Sequence, residues 1–88
     1  NTTMNAFTAH AKERMIERGI TTNDVKVALV KKELVTAGSE HGRKVVYSRV
    51  GEEVLVVVIG CRPGRPQQIT SVYFAEAPKR RFFFANVA

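Results

Sequence analysis

The sequence predicts an α+β protein, with two N-terminal helices packed on one face of an antiparallel sheet of about four strands. Three observations predict it. Apolar residues recur at helical spacing between cap residues over 8–33. β-Branched and aromatic residues then fill alternating or continuous runs over 34–75. Glycine, proline and acidic residues separate those runs. With 88 residues the chain is one small domain. It divides into a lead-in (1–6), a helical hairpin (7–33), a sheet (34–77) and a basic, aromatic tail (78–88).

Thr8 is the expected N-cap of a helix from Ala9 to Arg18, on which Ala11 and Met15 form an apolar stripe beside Ile16. Gly19 stops that helix, because glycine takes the left-handed conformation without a side-chain clash, and Ile20 folds back onto it. Thr21 opens a second helix, with Asp24 at capping-box spacing. That helix runs to about Lys32 and places Val25, Ala28 and Leu29 on one face.

Leu34–Ala37 reads as a short strand ended by Gly38. Arg43–Val50 reads as a strand with Val45 and Tyr47 on one side, Val46 and Ser48 on the other. A turn at 51–53 leads into Val54–Ile59, a continuous apolar run that suits a central strand covered on both faces. Residues 62–68 form a loop, and Ile69–Ala75 is the last strand. With the helices on one face of the sheet, the other face is left for a ligand.

Composition narrows function. Fourteen Lys and Arg against eight Asp and Glu give a net charge of +6, which favours a polyanionic partner, RNA or DNA first, or an acidic inhibitor protein. Simple solubility accounts for the same charge. One cysteine, Cys61, and two histidines provide neither an internal disulfide nor a metal site, so no metal or cofactor is expected. Cys61 reads as an inert core thiol. No apolar run approaches the roughly 20 residues of a transmembrane helix. A first residue of Asn1 fits a chain processed or cut from a longer polypeptide.

Several groups of residues could carry chemistry. His10, Arg14 and Arg18 are spaced i, i+4, i+8, which puts an imidazole and two guanidiniums on one side of the first helix, interleaved with Glu13 and Glu17. Such a row can hold a phosphate while a histidine moves a proton; ordinary surface ion pairs explain the same spacing. Strict alternation in the last strand puts Thr70, Val72 and Phe74 on the core face and Ser71 and Tyr73 on the other. Arg43, Lys44, Arg49, Arg62 and Arg65 line strand ends and loops and could neutralise a nucleic-acid backbone, with Tyr47 among them to stack a base. Solvated charges that deter edge-to-edge pairing are the alternative. In the tail, Lys79-Arg80-Arg81 precedes Phe82, Phe83 and Phe84. Three consecutive phenylalanines cannot all enter one core from a strand, so at least one is expected on another surface, such as a second copy or a partner protein.

The segment His10-Ala-Lys-Glu-Arg14-Met15-Ile-Glu-Arg18-Gly19-Ile20, followed by a capped second helix, resembles the family called domain of unknown function 4258. Gly42, Arg43 and Tyr47, the valine-rich strand and the closing Ser71-Val72-Tyr73 are similar too, so the likeness spans most of 7–75. That family looks like part of the superfamily of small ribonuclease toxins that includes barnase, the RelE-type toxins and colicin tRNases. The resemblance implies a toxin domain at the C-terminal end of a large secreted bacterial protein, such as a contact-dependent growth inhibition protein. It would act in the target-cell cytoplasm and be neutralised by an immunity protein or antitoxin; a cytoplasmic protein is the alternative. The family's last strand commonly reads Thr-Val-Tyr, which aligns Ser71 with the threonine, and a bulge would bring Thr70 there instead.

The resulting expectation is a metal-independent endoribonuclease, with tRNA as one candidate substrate. The 2′-hydroxyl attacks phosphorus to give a 2′,3′-cyclic phosphate. His10 moves the proton, because imidazole is the side chain that titrates nearest neutrality. Arg14 and Arg18 stabilise the phosphorane, Ser71 or Thr70 bonds a non-bridging oxygen, and Tyr73 orients the base or donates a proton. The alternative is a non-catalytic module of the same fold that binds nucleic acid or protein.

Overall fold

The fold follows from where the caps and the apolar runs fall. A computed structural model describes residues 6–38, 42–61, 64 and 66–87. The elements are β1 (Ala6–Phe7), α1 (Ala9–Arg18), α2 (Thr22–Lys31), β2 (Leu34–Ala37), β3 (Arg43–Val50), β4 (Glu53–Gly60), β5 (Gln68–Phe74) and α3 (Ala77–Asn86). The protein is α+β: two helices, an antiparallel four-strand meander, and a C-terminal helix. The sheet order is β1-β5-β4-β3-β2, with the two residues of β1 added parallel to β5.

The helix ends behave as their sequences dictate. Thr8 Oγ1 accepts from the Ala11 N–H at 3.1 Å. Gly19 adopts φ 70°, and the Ile20 N–H closes the helix by donating to the Met15 carbonyl. Ile20 is thereby buried. Thr21 and Asp24 form a reciprocal capping box. The C-cap of α2 is Lys32, a non-glycine residue at φ 45°.

Two cores result, one on each side of the sheet. On one side, Ala11, Met15, Val25 and Ala28 pack on Val46, Leu55, Val57, Ile59, Ile69 and Val72. On the other, Phe83 packs on Tyr47, Val54, Val56 and Ala75. β4 is the strand between them, which is why its apolar run has no polar face.

The tail does not remain a tail. Pro78 lies in the first turn of α3, where a missing N–H costs nothing. On a helix, neighbouring residues diverge by about 100°, so only Phe83 enters the core, while Phe82 and Phe84 stay half-exposed. The sheet face expected to be free for a ligand is therefore partly covered by α3. Arg80 ties the helix down through Glu53 at 3.4 Å.

At the same, C-terminal end of β3, Glu33 holds the α2–β2 joint. Its carboxylate accepts from the Arg49 N–H at 2.7 Å, from the Arg49 guanidinium at 2.6 Å and from the buried Ser48 hydroxyl at 3.3 Å. Hydrogen bonds from the Arg49 side chain and backbone lower its pKa from 4.5 to about 2.

Two predictions follow from this packing. Truncating the fully buried Phe83 to Ala costs about 3–5 kcal/mol, measured by urea denaturation; a cost below about 1 kcal/mol would mean that α3 is not part of the folded core. Because the carboxylate of Glu33 is favoured in the folded state, the stability it contributes is present above pH 4.5 and is lost as pH falls toward about 2. The parent should accordingly lose more stability across that window than Glu33→Gln, and parallel pH curves would refute the assignment.

Candidate functional site

The site is set by an interruption in the β4–β5 ladder. Val58 pairs with Ser71 but Ile59 pairs with Ile69, so β5 carries one extra residue. Strict alternation breaks there. Val72 keeps the helix-side core position, while Thr70 and Ser71 both lie toward the α3 side. Thr70 Oγ1 donates to the Val58 carbonyl at 3.3 Å and accepts from the Arg43 guanidinium at 3.2 Å. Placing Thr70 on the core face is thus corrected by the bulge.

Tyr73 follows on the same side, half-buried against the α3 core. Lys79 of α3 sits over its ring, with Nζ 5.9 Å from the centroid. From the opposite side of the sheet, Arg18 reaches the β5 edge, which β1 covers only at Gln68 and Ile69. Its guanidinium donates to the Val72 carbonyl at 2.9 Å, so the edge strand is capped by a cation. Arg18, Tyr73, Glu76 and Lys79 together line a cleft of about 530 Å³.

The three residues of the α1 row do not share that cleft. Arg18 alone lines it. Arg14 is turned into an ion pair with Glu17 at 2.8 Å. His10 is exposed in the first turn of α1 and makes no hydrogen bond or ion pair among the described residues. A step of four residues advances about 40° around a helix beyond a full turn. Over two such steps the row winds from solvent toward the sheet, so only its last member arrives at β5.

The outlying residues also sort themselves. Tyr47 is only 5% exposed, beneath Phe82 and Phe83 at ring-centroid distances of 5.8 and 6.3 Å, so its face is not open to a stacked base. Arg49 is engaged by Glu33, and Lys44 lies on the helix side of the sheet, away from the cleft. Arg43 is held at Thr70, on the α3 side. Arg62 and Arg65 lie outside the described residues. Phe83, taken from the sequence as part of a self-association surface, is sealed inside its own chain; Phe82 and Phe84 keep an aromatic surface, with Phe84 packed edge-on to Phe83 at 5.1 Å.

Sequence reasoning missed Lys79 and Glu76. The signal was present: Pro78 after an acidic residue marks a helix start, and a helix there returns its first turn to the end of β5. Among the described residues, no helix is long and apolar enough to cross a membrane. Among the described residues, no group of three or more His, Cys, Asp or Glu side chains is placed to hold a metal ion.

The family described as domain of unknown function (DUF4258) matches residues 7–74. No curated protein and no solved structure matches the chain. The matched span ends with β5, so α3, with Lys79 and Glu76 at its start, lies beyond it.

Proposed function

The chain belongs to the DUF4258 family, and we propose that it is a metal-independent endoribonuclease working in the cleft beside β5. One observation carries the reading: Arg18, Tyr73, Glu76 and Lys79 converge on one cleft at the sheet edge. Two cations there suit a phosphodiester, and the Tyr73 phenol adds a proton donor beside them. The net charge of +6 supports attraction of a polyanion.

In this mechanism the 2′-oxygen attacks the adjacent phosphorus while the bond to the 5′-oxygen breaks. The products are a 2′,3′-cyclic phosphate and a free 5′-hydroxyl. Glu76, the carboxylate of the cleft, takes the 2′-hydroxyl proton, and the Tyr73 phenol returns one to the leaving oxygen. Arg18 and Lys79 offset the second negative charge that develops in the phosphorane. Thr70 and Ser71 offer hydroxyls farther along β5, beside Arg43. Arg14, paired with Glu17, and His10 lie on α1 beyond the cleft. tRNA stands as the candidate substrate. A role as the toxin domain of a secreted bacterial protein, restrained by an immunity protein or antitoxin and acting in the target-cell cytoplasm, belongs to this proposal.

A second reading is a non-catalytic nucleic-acid binder. The observation favouring it is that His10 stands outside the cleft and Arg18 already donates to the Val72 carbonyl. Cleavage of labelled RNA in the presence of a chelator separates the two. The expected products carry a 2′,3′-cyclic phosphate, and a 2′-deoxy substitution at the scissile position abolishes cutting. Arg18→Ala and Lys79→Ala each lower the rate by about 10²-fold, whereas His10→Ala retains most of it. Loss of cleavage in His10→Ala, with Glu76→Gln fully active, would overturn the proton assignment. Salt-sensitive RNA binding without cleavage would leave the binder reading standing alone.

A further inference from the structure

A second concavity opens on the helix side of the sheet, away from the β5 edge. Its volume is about 690 Å³, within the range of small-molecule sites. Phe7 and Leu29, both half-buried, line it above Val25, Val46, Ile59 and Ile69, which are only 1–3% exposed. Three ammonium groups stand around it: Lys26 on α2, Lys32 at its C-cap and Lys44 on β3. None of the three has a hydrogen bond or ion pair among the described residues. Lys31, between them in sequence, is by contrast spent on the Arg49 carbonyl.

Two further features mark this groove. Val30, 83% exposed, and Val35, 44% exposed, leave apolar surface at its mouth. Lys32 adopts φ 45°, a conformation that glycine or asparagine normally supplies at a helix C-cap. A lysine in that position costs folding stability that glycine would not, yet it adds a cation to the rim.

We propose that this groove is a binding site for an anionic amphiphile, a single alkyl chain ending in a carboxylate. The alkyl chain lies along Phe7, Leu29, Val30 and Val35, and its carboxylate is drawn by the ammonium groups of Lys26, Lys32 and Lys44 on the rim. The complementarity is specific in kind: an exposed apolar wall offers nothing to a bare phosphate, and a rim of unpaired cations disfavours a cationic detergent. The inference is independent of the β5 cleft, since the two concavities share no lining residue.

Titration with decanoate below its micelle concentration, followed by amide and methyl NMR shifts, tests the proposal. Saturable shifts are expected at Phe7, Leu29, Val30 and Val35, with decyltrimethylammonium producing none at those residues. The triple variant Lys26→Gln, Lys32→Gln, Lys44→Gln should bind at least tenfold more weakly. Lys32→Gly should raise the melting temperature while weakening decanoate binding, a split that a purely structural lysine would not give. The proposal is overturned if decanoate shifts map elsewhere or fail to saturate. It is also overturned if the cationic amphiphile binds equally well, or if the folded triple variant keeps its affinity.

Discussion

Everything in this molecule is arranged around the burial of β4 from both sides. Val54 and Val56 face one way, Leu55 and Val57 the other, and all four are buried. A strand with no polar face needs two covers. The first is the α1–α2 hairpin, held in place by Met15, Val25 and Ala28. The second is α3, and Phe83 is the side chain that seats it. Since the interior of a small domain contributes little surplus stability, neither cover is dispensable. The requirement for a second cover brings the C-terminal segment back across the sheet, and that return creates the cleft.

The cleft is a by-product of how the two covers end. α1 closes at Gly19, which leaves Arg18 at the margin of the first layer. α3 starts after Glu76, which leaves Lys79 at the margin of the second. Both margins meet at the outer edge of β5, where β1 is too short to continue the ladder. An uncovered strand edge presents backbone groups that must find partners. Here a guanidinium meets the Val72 carbonyl. The same geometry that protects the edge from another strand therefore gathers positive charge there, and the bulge at Thr70 and Ser71 adds hydroxyls to that side.

The net charge is unevenly used. Arg14, Arg49 and Arg80 are each matched to a glutamate, in pairs that tie helix to itself, joint to strand and α3 to the β4 turn. These arginines act as structural ties. Of them, only the Glu33–Arg49 pair also serves a buried polar group, the Ser48 hydroxyl. The lysines are distributed differently. Lys79 faces an aromatic ring in the cleft, and Lys26, Lys32 and Lys44 surround an apolar hollow. Long, well-hydrated ammonium groups without partners raise the potential of whatever concavity they border. Among the described residues, lysines thus border two separate concavities, one at the β5 edge and one on the helix side of the sheet.

The sequence by itself determined the local elements. Thr8, Gly19, Thr21 and Asp24 act through hydrogen bonds to residues within five positions, so α1 and α2 were legible from their caps. The unbroken apolar run of β4 declared a strand covered twice, and the alternation in β3 placed Tyr47 and Val46 on opposite faces. The tertiary structure alone decided the site. A bulge is a mismatch between two strands, so the facing of Thr70 could not be read from β5 in isolation. Whether Tyr47 offers its ring depends on a helix thirty residues downstream, and which of His10, Arg14 and Arg18 reaches β5 depends on how α1 is laid against the sheet. Local signals travel one turn along the chain; the positions of functional groups are set by contacts between segments far apart in it.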